Sequence, residues 1–112
     1  MLALQLTTDG ILNELALNEN GEGQLDVLQA GVGGWVQAID LSENLTLWVN
    51  EEGKLDGLPI NPIATRIWEA VFGVGTDIIV GNAIFTGGTG DEGETLGLSD
   101  EEAKKLREAV GV

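Results

Sequence analysis

Two alternating runs, WVQAIDL at 35–41 and LTLWVN at 45–50, stand on either side of the three-residue turn SEN at 42–44. Successive side chains of a strand point to opposite faces, so each run divides its residues between two surfaces. On the first, Val36, Ala38 and Asp40 lie opposite Trp35, Gln37, Ile39 and Leu41. On the second, Leu45, Leu47 and Val49 share one face, and Thr46, Trp48 and Asn50 share the other. The pattern predicts a β-hairpin with one apolar face. The other face, a tryptophan among polar neighbours, suits either packing under a helix or lining a shallow site.

The remaining segments read as elements that cover such a hairpin. LALQL alternates Leu2, Leu4 and Leu6, and Asp9-Gly10 favours a tight turn. ILNELAL then returns as a second strand, although its Leu, Ala and Glu content also suits a helix. Residues 18–23 are a loop by composition. QLDVLQAGVGG predicts a short helix over about 25–30, broken by Gly31, Gly33 and Gly34. The connector 50–61, NEEGKLDGLPIN, closes a strand at Asn50, turns at Glu52-Gly53, and adds a short strand at Lys54-Leu55. It ends at Asn61, a good N-cap, with Pro62 suited to the first helical position. The helix that follows buries Ala64, Ile67, Trp68 and Val71, turns Arg66 and Glu69 toward another face, and stops at Gly73. TDIIVGNAIFTG predicts a central strand buried on both sides, in which Asn82 stands out as polar. A glycine-rich acidic loop occupies about 87–98. The last helix, about 99–110, opens with the capping box Ser99 and Glu102. It carries Glu101–Lys105 and Lys104–Glu108 pairs at helical spacing, points Ala103, Leu106 and Val110 to the core, and stops at Gly111. The order β-β-α-β-β-α-β-α, with two to three helices on a mostly antiparallel sheet, is a small single α+β domain.

Composition then narrows function. With 43% hydrophobic residues the chain can build a core despite a formal net charge of −14, from 19 acids against 5 bases. Such a charge repels nucleic acid and anionic lipid, and favours a partner with a basic surface. There is no cysteine and no histidine, which removes thiolate metal sites, cysteine nucleophiles, the usual neutral-pH base and the Ser-His-Asp triad. The sequence shows neither a signal-peptide start nor an apolar run of about 18 residues, so a cytoplasmic protein with no membrane partner is expected.

The apparent motifs fail on chemistry. A helix-loop-helix calcium loop wants acids or amides at its first, third and fifth positions, glycine at the sixth and glutamate at the twelfth. Begun at Asn50 it meets Lys54 at the fifth and Leu55 at the sixth; begun at Asp91 it meets Gly93, Thr95 and Leu96 at the third, fifth and sixth. No metal site is expected. Gly88, Gly90 and Gly93 spell G-x-G-x-x-G after a strand, but no helix opens there, and Asp91 and Glu92 would repel a pyrophosphate. No cofactor follows from it. Paired carboxylates remain the one route to catalysis, and no pair is marked by its context.

The segment GGWVQAIDL…LTLWVNEEGKLDGLPINPIATRIW resembles the domain-of-unknown-function family 3846 of bacteriophages, plasmids and actinobacteria. The similarity lies in an aromatic-V-x-A-hydrophobic-D-L strand at 35–41, an L-T-L-aromatic-V/C-N-E-E-G-K-L-x-G-L-P-x-N-x-x-A core at 45–64, and an I-x-G strand at 79–81. It covers about 30–87. The resemblance implies a small domain of mobile elements and supplies no catalytic residues.

The expected function is therefore non-enzymatic binding, by a phage or mobile-element accessory protein in the host cytoplasm. In the leading reading an acidic surface, with Asp91, Glu92, Glu94, Asp100, Glu101 and Glu102 as candidates, occupies a basic site on a host or defence protein as a DNA mimic does. In the alternative, Trp48, Asn50, Asn61, Arg66 and Asn82 hold a small anionic ligand such as a nucleotide, with Arg66 as its cation. For Arg66 a surface salt bridge, and for Asn82 a satisfied edge or bulge position, are the competing structural roles. A carboxylate-only enzyme is the third.

Overall fold

The computed structural model describes all residues, Met1–Val112. Its elements are β1 (Leu2–Leu6), β2 (Leu12–Ala16), α1 (Gln24–Val32), β3 (Val36–Ser42), β4 (Leu45–Asn50), α2 (Pro62–Phe72), β5 (Ala83–Thr86) and α3 (Asp100–Val110). This is the expected α+β order, with three helices. The five strands form one sheet in the order β2-β1-β5-β4-β3, and every neighbouring pair is antiparallel. Two hairpins, β1–β2 and β3–β4, are thus joined by a late strand inserted between them.

That inserted strand organises the core. Phe85 is in register with Leu4 on one side and Leu47 on the other, and all three are fully buried. They belong to the face covered by α2 and α3 through Ala64, Ala103 and Leu106. Ile84 points the opposite way, into a smaller cluster with Ala3, Leu17, Leu28 and Val32 under α1. A side chain of this size contributes about 1.5–3 kcal/mol when fully buried. Both faces of β5 are therefore covered, as its apolar run foretells.

The strand is shorter than expected. Gly81 adopts φ 75°, a left-handed conformation that ends the extended run. Residues 77–80 leave the sheet, and Val80 pairs instead with Ile60 through an isolated bridge. Residues 51–57 are all turn, so the expected strand at Lys54-Leu55 is absent.

Two helical expectations also change. Helix α1 runs through Gly31 and stops at Gly33. Gly31 serves packing: a Cβ there would stand 2.4 Å from Cδ1 of Ile84, so glycine lets the helix lie close on the sheet. On α2, Ala64 is buried and Ile67 and Trp68 are half-buried, but Val71, in the last turn, is 44% exposed. The Asn61 and Ser99 caps form, with side-chain oxygens accepting from the N–H of Ala64 and Glu102. Of the two α3 pairs, Lys105 reaches Glu101 at 3.5 Å and also Glu102 at 3.8 Å; Lys104 and Glu108 do not pair.

Candidate functional site

The amides that mark the connector are spent inside the fold. Asn61 is completely buried. Its Nδ2 donates to the carbonyls of Leu6 and Gly81, both at 3.0 Å, while Oδ1 accepts from Ala64 N at 3.1 Å. One side chain thereby ties the end of β1, the bend before β5 and the start of α2. At Asn50, Oδ1 accepts from Glu52 N at 2.9 Å, an Asx turn, and Nδ2 reaches the Val32 carbonyl at the end of α1. Asn82 accepts from Thr8 N at 3.2 Å and holds the β1–β2 turn. Trp48 packs toward α1, with its Nε1–H donating to Thr86 Oγ1 at 2.9 Å. Arg66 stands exposed on α2 and makes no salt bridge. These five residues are not brought to one pocket.

A pocket of about 170 Å³ does open on the α2 side of the β3 edge. Its apolar walls come from Ile39 on β3, Val49 on β4, Trp68 on α2, and Ile79 and Val80 in the segment before β5. Asn50 is the one member of the five that lines it. The mouth is polar. Gln37 and Glu51 contribute, and Lys54 from the turn forms an ion pair with Asp77. The Lys54 hydrogen bond, helped by the N–H of Ile78 at 2.7 Å, holds the Asp77 carboxyl below the usual carboxylate pKa despite the opposing effect of partial burial. The indole of Trp68 is fixed by Nε1–H donation to Thr76 Oγ1 at 2.9 Å and by a tilted contact with Phe72, ring centroids 4.3 Å apart. An apolar cavity of about 150 Å³ takes one benzene ring. This pocket is of that order, and smaller than the roughly 300–1,000 Å³ typical of drug-sized ligands.

A second, open groove lies at the far end of β3, between the β3–β4 turn and the acidic loop. Asp40 and Glu43 line it from the hairpin, Asp91 and Glu94 from the loop, with no base among its nine residues and one apolar side chain, Leu96. The two segments meet because Gly88 has no side chain: a Cβ there would stand 1.8 Å from the Glu43 carbonyl oxygen. The glycines of the loop thus serve close approach and turning. Of the six acids singled out in the sequence, Asp91 and Glu94 enter this groove. Glu92 is exposed on the same loop, and Asp100, Glu101 and Glu102 form the first turn of α3 outside it.

Several of these residues escape sequence reasoning. Asp40 and Glu43 are ordinary hairpin residues until the loop folds against them. Lys54 carried a signal, being the only base among the first 65 residues. Trp68 was assigned to the core, and it has that role too.

No curated protein and no solved structure matches the chain. A family model does match, over residues 4–111. That span extends well beyond the 30–87 stretch that carried the resemblance, and takes in the first hairpin, the acidic loop and α3. The chain belongs to the family described as Domain of unknown function (DUF3846).

Proposed function

We propose that this protein is a non-enzymatic accessory protein of a phage or other mobile element, acting in the host cytoplasm by placing its acidic surface on a basic site of a host or defence protein. The observation that carries this reading is the groove where Asp40, Glu43, Asp91 and Glu94 converge without a base. Four carboxylates on one concave surface attract a cationic partner and repel phosphates. The overall charge of −14 adds long-range steering toward the same class of partner. Catalysis by a carboxyl pair finds less support. Asp77, at the mouth of the Trp68 pocket, is shifted downward, whereas a general acid at neutral pH needs an upward shift.

The test is affinity capture from host lysate, followed by a DNA-binding assay on each captured protein. Two variants are compared with the parent: D40N/E43Q/D91N/E94Q, which neutralises the groove, and D100N/E101Q/E102Q, which neutralises the first turn of α3. Captured proteins should be basic, should be displaced by duplex DNA, and should bind the groove variant at least about tenfold more weakly, with a steep loss in salt. The α3 variant should bind nearly as the parent does. Capture that is indifferent to DNA and equal for both variants would sink the reading.

A further inference from the structure

We propose that the pocket beside Trp68 is a binding site for a small aromatic cation, a single ring carrying an ammonium or amidinium group, which takes the place of Lys54 at Asp77. Size comes first. About 170 Å³ between Ile39, Val49, Ile79 and Val80 accommodates one ring and little more. Val49 and Ile79 are buried, so these walls belong to the folded core and exist before any ligand arrives. The indole of Trp68, pinned by Thr76 and Phe72, adds an electron-rich surface that favours a cation over a neutral or anionic group.

The sign of the charge follows from the mouth. Glu51 and Asp77 outnumber Lys54, and the surrounding molecule carries a large negative excess. An anion would have to enter against that field, whereas a cation is concentrated by it. Asp77 is prepared for the exchange. Its Oδ1 accepts from Ile78 N at 2.7 Å as well as from Lys54, so the carboxylate stays oriented when the lysine leaves. Lys54 is an easily displaced occupant. Its side chain is 61% exposed, and exposed pairs of this kind contribute little. A ligand that couples its own cation to Asp77 while burying a ring gains the apolar contact that Lys54 does not make.

The experiment titrates benzamidine, benzyl alcohol and benzoate into the 112-residue chain at fixed ionic strength. Binding is followed by the three tryptophan indole N–H resonances, with Trp68 assigned through Trp68→Phe. Benzamidine should shift the Trp68 signal saturably and bind at least about tenfold more tightly than either of the other two, as one charge-assisted contact implies. Asp77→Asn should weaken benzamidine about tenfold. Lys54→Met should tighten it, by up to about twofold, because the competing ammonium is gone. That direction separates this role from one in which Lys54 itself holds an anion. Benzoate binding as well as benzamidine, equal binding of benzyl alcohol, weaker benzamidine binding in Lys54→Met, or no saturable shift at Trp68 would each overturn the proposal. The spectra of both variants show whether they remain folded.

Discussion

The ends of the connector between β4 and α2 and its middle both carry polar side chains and behave oppositely. Asn50 and Asn61, at the ends, are 8% and 0% exposed and spend their amides on backbone groups, Asn50 on its own turn and the end of α1, Asn61 on β1, the bend before β5 and α2. Between them Leu55 is 89% exposed, and Lys54 reaches out to pair with Asp77 at the pocket mouth. The ends act as substitutes for backbone hydrogen bonding where strand, bend and helix meet. In the middle, the exposed side chain of Lys54 has one partner, the partly exposed Asp77. A polar residue in a dense motif is thus assigned by whether its hydrogen bonds are already taken, and residue type alone does not decide it.

The sharpest way to break this comparison is Asn61→Ala. It removes an N-cap and leaves the Leu6 and Gly81 carbonyls without their donor in a fully buried place. A lost cap costs about 1 kcal/mol, and a buried group left unsatisfied about 1–3 kcal/mol. The expected loss is about 3 kcal/mol, read as a lower urea midpoint at unchanged slope. Asn61→Asp sharpens the point, since it keeps the capping oxygen but sets a carboxylate against two carbonyls. It should be at least as destabilising. Losses below about 1 kcal/mol for both would mean that the amide is not a latch.

Asn50→Ala comes next. It deletes one good hydrogen bond, to Glu52 N at 2.9 Å, and one long one, to the Val32 carbonyl at 3.4 Å. About 1 kcal/mol is expected, with faster amide exchange at Glu52 as the local signature. Protection at Glu52 that does not change would place the turn's stability elsewhere.

The same contrast explains what was legible in the sequence. The two hairpins, the Asn61-Pro62 helix start and the Ser99 cap were readable because each depends on residues a few positions apart. The C-terminal limit of α1 was not, because whether Gly31 breaks the helix or lets it approach the sheet depends on Ile84, more than fifty positions away. The length of β5 likewise depends on where Gly81 bends the chain, and the exposure of Val71 on tertiary packing. For the sites, density of charge pointed to Asp91 and Glu94, and only the fold adds Asp40 and Glu43. The pocket collects β3, β4, the turn, α2 and the segment before β5, a combination with no local signature. Asn50, Asn61 and Asn82 drew attention as ligand candidates because an amide that serves a ligand and one that serves the backbone look alike in one dimension.

The smallest effect belongs to the middle of the connector. Lys54→Met keeps most of the aliphatic stem and removes the hydrogen bond, and with it the charge, that lower the Asp77 pKa. A carboxyl whose folded pKa lies below its unfolded value stabilises the fold at pH above the unfolded value, 3.8 here, and that contribution is lost as pH falls through the folded one. The parent should therefore exceed the variant in stability at neutral pH, and the gap should close on acidification below about pH 4. Asp77 is 35% exposed and Lys54 more so, which means solvent and salt screen the pair. The neutral-pH gap should be at most about 0.5 kcal/mol and should shrink further in concentrated salt. Parallel urea titrations across pH give the measurement. A gap of about 2 kcal/mol, or one that persists in acid, would make Lys54 a structural residue like the asparagines on either side of it, and the division between the ends and the middle of the connector would fail.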